Sequence, residues 1–76
     1  VSESISHPGE EFVYCLEGEI DYTVGDRTFR LEQGDSLLFD ATQQHSYHNR
    51  LDQPAVLLMI FQSSQDRHQV QRLHLD

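Results

Sequence analysis

Apolar residues in this chain do not recur with the three-and-four spacing of an amphipathic helix. They alternate, or run on continuously, in short bursts closed by turn residues. That pattern restricts the fold to sheets. "EFVYCLEG" puts Glu11, Val13 and Cys15 on one face and Phe12, Tyr14 and Leu16 on the other. Both faces are largely apolar, so this strand belongs in the middle of a sheet. "EIDYTV" alternates, and Gly25-Asp26 follows as a two-residue hairpin turn with Gly supplying positive φ. "RTFRL" alternates back, with Phe29 and Leu31 on the apolar side. After the turn "EQGD" comes the strand "SLLFD", then the polar loop "ATQQ". "HSYHNR" reads as a strand with His45, Tyr47 and Asn49 on one face and Ser46, His48 and Arg50 on the other. "LDQP" turns the chain into "AVLLMIFQ", apolar throughout and expected to be buried on both sides. The tail "RHQVQRLHLD" fits either a last strand or a partly ordered end. Strands arriving about every 8 to 12 residues with turns between them imply an all-β sandwich or barrel.

Seventy-six residues make a single small domain. A chain this short buries only about 60% of the surface that its unfolded form exposes. It needs support from a metal, a second subunit or residues outside this stretch of chain, and a homodimer is expected. The chain begins at Val1 rather than Met, and a strand-like run follows at once. We read it as part of a longer chain, truncated near the start of a domain. The net charge is −8 and every basic residue is arginine. Nucleic-acid binding depends on neutralising phosphates, so direct contact with DNA or RNA is not expected. The lone Cys15 cannot form an intrachain disulfide. It reads as a small buried hydrophobe and fits a reducing, cytoplasmic location. No apolar stretch approaches the roughly 20 residues that span a membrane.

The chemistry-bearing residues begin with His7 and Glu11, four positions apart. On a straight strand they would stand about 13 Å apart, too far to share an ion whose bonds are about 2 Å. Pro8-Gly9 between them favours a type II turn, which folds His7 back toward Glu11 and leaves Glu10 facing solvent. A third ligand has to come from far along the chain. His45 is the best placed of the other histidines, because it opens a strand after a polar loop. His48 sits on the opposite face, and His68 and His74 lie in the polar tail.

"HPGEEFVYCLEG" and "GDSLLFDATQQHSYHN" together resemble the two sequence motifs of the cupins. His7, Glu11 and Gly18 match the spacing of the first, and Gly34, His45 and Asn49 fit the second. The resemblance covers roughly residues 5 to 62, leaving 63–76 as a polar tail. It implies a small antiparallel β-barrel of jelly-roll type, with His7, Glu11 and His45 pointing inward around a metal. The chain departs from the pattern at Ile5, where a further histidine is expected, and at Asp40 and Thr42, which replace a proline and a glycine. The wording is most similar to the C-terminal cupin of bacterial helix-turn-helix (XRE-type) transcription regulators.

Two function classes follow. The first is a ligand-sensing, metal-binding domain of such a regulator, with its DNA-binding part outside this chain and a small organic molecule as effector. The second is a metal-dependent enzyme (an oxygenase, epoxidase or isomerase) that uses the 2-His-1-Glu set. No further acid, base or nucleophile is placed beside the triad, which counts against the enzyme. The metal is zinc, iron, nickel or manganese, which the residues do not distinguish. A degenerate site, whose polar residues satisfy one another without an ion, is the competing account. Tyr47, on the His45 face, either touches the ligand or bonds to backbone. Asn49 is expected to tie down a turn, and His48, His68 and His74 to be solvated.

Overall fold

The computed structural model describes residues 4–62 with their side chains and residues 68–75 as backbone. Among these residues there are seven strands and no helix: β1 Glu10–Glu17, β2 Glu19–Val24, β3 Arg27–Glu32, β4 Ser36–Asp40, β5 His45–His48, β6 Ala55–Gln62 and β7 His68–Leu75. They pair antiparallel into a four-stranded sheet of order β4-β1-β6-β7 and a three-stranded sheet of order β3-β2-β5. No helix of the described residues is long and apolar enough to cross a membrane.

The expected barrel is not closed. Strand pairing among the described residues stops at two separate sheets. Among the described residues, backbone hydrogen bonds join them on one side only. Ile5 and His45 exchange N–H···O bonds of 2.8 Å, which lays the start of the chain beside β5. The same segment then enters the other sheet as β1. On the opposite side β3 and β4 are sheet edges. A cleft of about 330 Å³ lies there, lined by Phe29, Leu37, Leu38 and Phe39 with Arg27 at its wall.

Strand ends differ from the sequence reading in places: β1 starts one residue earlier, at Glu10, and β3 runs one residue further, to Glu32. β5 ends at His48, so Asn49 and Arg50 lie outside it. The Asn49 side chain instead holds the following loop: its Nδ2 donates to Gln53 O, and its Oδ1 accepts from Leu51 N. The tail resolves as a strand, since His68–Leu75 pairs with β6 along its whole length. The expectation that His68 and His74 are solvated falls outside the described side chains.

Alternation builds the core. Val13 and Cys15 of β1, Ile20 and Tyr22 of β2, Leu31 of β3, Phe39 of β4 and Leu57 and Met59 of β6 all point between the sheets and are buried. The outer faces contrast. That of the three-stranded sheet is ionic, with Arg50 on Glu19 at 2.9 Å and Arg30 near Asp21 at 3.6 Å. On the four-stranded sheet, Leu38, Phe12 and Ile60 form a cross-strand row, and Leu38 is 64% exposed.

Gly18 alone separates β1 from β2 and carries the chain from one sheet to the other. Its φ is +78°, and a Cβ there would lie 2.8 Å from the Pro54 carbonyl oxygen. Gly34 also has positive φ (+92°), but a Cβ there would meet nothing within 4 Å. Gly34→Ala should therefore cost only the backbone strain, about 1–3 kcal/mol. Gly18→Ala should cost clearly more, because the added methyl meets fixed backbone. Urea unfolding of the two variants checks the order; equal losses would show that the contact with Pro54 does not matter.

Candidate metal centre

Three separate stretches deliver His7, Glu11 and His45 to one place. His7 N donates to Ala41 O, and Ala41 N donates to Gly9 O, both at 2.9 Å. The chain bends at Pro8–Gly9, and Gly9 has φ +104°. This clamped bend brings His7 Nε2 to 3.2 Å from Glu11 Oε1. Glu11 is the second residue of β1 and points inward, and Glu10 is exposed, as expected. His45 is the first residue of β5, opposite Val24.

Glu11 and His45 are each only 2% exposed. The hydrogen bonds around them orient each ring and oxygen. His45 Nδ1 lies 2.8 Å from Gln43 O. A carbonyl only accepts, so Nδ1 carries a proton, and in the neutral ring Nε2 presents a lone pair. That Nε2 is buried without a hydrogen-bond partner among the described residues, 3.5 Å from Glu11 Oε1. His7 Nδ1 stands 3.3 Å from Pro8 O, which favours the same tautomer. The Tyr22 hydroxyl donates to Glu11 Oε2 at 2.5 Å. Burial, then this bond to Glu11, pushes the Tyr22 phenol far above its ordinary range, so it stays a donor.

Two imidazole nitrogens thus converge on one carboxylate oxygen. Lone pairs that face one another in a dry site repel, and a proton or a cation between them removes the repulsion. One ligand atom from each of the three residues lies within 4.8 Å of the others. With bonds of about 2.0–2.2 Å, a small inward shift would let all three reach one ion. The backbone carbonyls on the outer nitrogens are the partners that metal-bound histidines commonly have. The donor set therefore fits a divalent transition metal.

Aromatic rings enclose the cluster. Phe39 lies 4.9 Å and His7 5.2 Å from the His45 ring, and Phe61 lies 5.5 Å from His7. A cavity of about 130 Å³ opens beside it, lined by Ile5, Glu11, Tyr22, His45, Tyr47, Met59 and Phe61. Tyr47 is therefore where a ligand in this cavity would meet it. Ile5 lines the same cavity but has no donor atom to offer. His48 is exposed and outside the cluster.

Sequence reasoning missed Tyr22 and Gln43. Tyr22 carried a usable signal, since it alternates inward with Ile20 and Val24 and a buried phenol needs a partner. Gln43 acts through its carbonyl, which residue type does not reveal. The turn before it is held by Asp40, whose Oδ1 accepts from Thr42 N at 3.0 Å and from Thr42 Oγ1 at 2.7 Å. Those two bonds hold the Asp40 carboxyl below its usual range.

Cys15 is fully buried, and its Sγ faces the carbonyls of Glu17 and Gly18. Burial, then the negative charge of Asp35, raises its thiol pKa. Iodoacetamide at pH 8 should label folded Cys15 far more slowly than the urea-unfolded chain, measured by mass shift. The raised thiol also sets a sign: its contribution to stability is full below the unfolded value, about 8.5, and is lost as pH climbs through the folded one. Wild type should lose stability relative to Cys15→Ala above that pH, and parallel curves would refute the assignment.

Comparison with known proteins places the chain. The family model described as "Cupin domain" matches residues 1–61. Searches of curated proteins and of solved structures return no match. The chain belongs to the cupin domain family.

Proposed function

We propose that this cupin domain binds a divalent transition metal through His7, Glu11 and His45 and senses a small organic molecule for a bacterial transcription regulator. The observation that carries the metal reading is the buried, unpartnered His45 Nε2 aimed at the carboxylate it shares with His7. A bound ion would supply a Lewis-acidic centre with coordination positions left for a ligand. The chain's own residues do the rest. Gln43 O holds the His45 tautomer, Tyr22 holds Glu11, and Ile5, Met59, Phe61 and Tyr47 line the space for the ligand. That space is about 130 Å³, well under the roughly 300 Å³ at which drug-sized pockets begin. The effector is accordingly small. Its binding would shift a dimer between states that a DNA-binding segment outside this chain reads.

The regulator reading rests on the wording of the two motifs. A helix-turn-helix encoded upstream of Val1 would support it, and a start codon directly upstream would sink it. The open coordination positions also suit a metal-dependent oxygenase, epoxidase or isomerase. Turnover of a small substrate by the metal-loaded protein would favour that second reading.

The metal assignment makes a graded prediction. Purified protein should carry about one equivalent of zinc, iron, nickel or manganese by elemental analysis, and His45→Ala should carry little. Ile5→His places a nitrogen donor on the cavity wall and should tighten metal binding. Equal metal content in wild type and His45→Ala would refute the site.

The second copy in the dimer is proposed to pack on the outer face of the four-stranded sheet, where Leu38, Phe12 and Ile60 are aligned. The ionic outer face of the other sheet is the poorer candidate. Sedimentation should find a dimer at micromolar concentration and a folded monomer for Leu38→Glu. A wild-type monomer, or a Leu38→Glu dimer, would refute that interface.

A further inference from the structure

We propose that Tyr22 is a positioning residue that confines Glu11 to a single metal-facing oxygen, so that the protein binds its ion through three atoms and no more. The inference rests on the metal reading and deepens it.

A carboxylate offers an ion one oxygen or both. In Glu11 the two oxygens have different surroundings. Oε1 faces both histidine nitrogens, at 3.2 and 3.5 Å. Oε2 accepts the Tyr22 O–H at 2.5 Å. Turning Oε2 toward the same ion would draw it away from that hydroxyl and strain or break the bond of a buried phenol.

Tyr22 is not placed to follow such a turn. It sits on the central strand of its sheet, paired with Phe29 on one side and Tyr47 on the other. Its ring lies 5.6 Å from both Phe39 and Tyr47, and the residue is 1% exposed. The phenol therefore acts as a fixed stop on one oxygen. What it preserves is the coordination position that the second oxygen would otherwise fill.

The test loads wild type and Tyr22→Phe with Co²⁺, records the visible spectrum and titrates azide. Phenylalanine keeps the ring and removes only the stop. In Tyr22→Phe, Glu11 should bind through both oxygens, the cobalt bands should weaken as coordination number rises, and azide should bind at least tenfold more weakly. Identical spectra and azide affinities would overturn the proposal while leaving the metal site standing. A merely structural Tyr22 would lower stability without moving the spectrum. A crystal structure of the Co²⁺-loaded wild type decides the matter even if the variant does not fold. Coordination by Oε1 alone supports the proposal, and coordination by both oxygens overturns it. A wild type that takes up no Co²⁺ overturns the metal reading and this proposal together.

Discussion

A buried carboxylate governs the arrangement of this small domain. Glu11 sits opposite Phe39 on one neighbouring strand and Phe61 on the other, with its side chain between the sheets. A one-residue slip of β1 would turn Glu11 outward and Phe12 inward, because side chains alternate strictly. The register of the central strand and the presence of the site are therefore one fact. One of the polar groups around Glu11 answers the demand that a buried polar atom be partnered. Tyr22 meets it with a hydroxyl on one oxygen, and two imidazoles crowd the other.

Much of this was legible before any coordinates, and the reasons are physical. Alternation is a local signal, so the ranges of β1 to β4 and β6 could be read to within a residue at either end. The His7–Glu11 approach was legible because Pro-Gly leaves the backbone few options. Other features depend on partners remote in sequence. Which sheet a strand joins, and whether sheets close, is decided by edges that do not advertise themselves. β5 looked longer than it is, since "HSYHNR" alternates without a break. The Asn49 amide diverts the chain by bonding Gln53 O and Leu51 N. Tyr22 was legible as an inward residue but not as the partner of Glu11, eleven positions away.

The loop between β4 and β5 shows how a motif can change its residues and keep its task. Asp40 and Thr42 replace a proline and a glycine of the family pattern, and the Asp40 side chain fastens the turn through two bonds from Thr42. The loop is then pinned at its far end, where Gly25 N of the β2–β3 turn donates to Gln44 O. Between these anchors the Gln43 carbonyl meets His45 Nδ1. Side-chain hydrogen bonds here do the work of ring rigidity and backbone freedom.

The contact between Ile5 and His45 has a consequence for how such sites diversify. It is made by main-chain atoms, so it holds for any side chain at position 5 on a residue that keeps its backbone N–H, which excludes only proline. That side chain nonetheless borders the cluster and is half exposed. The position is thus separated from the folding of the sheets while remaining adjacent to the chemistry. A lineage can gain or lose a donor there by altering one codon, without repacking the interior. The number of donor atoms around this cluster is an evolutionary variable that the architecture leaves open.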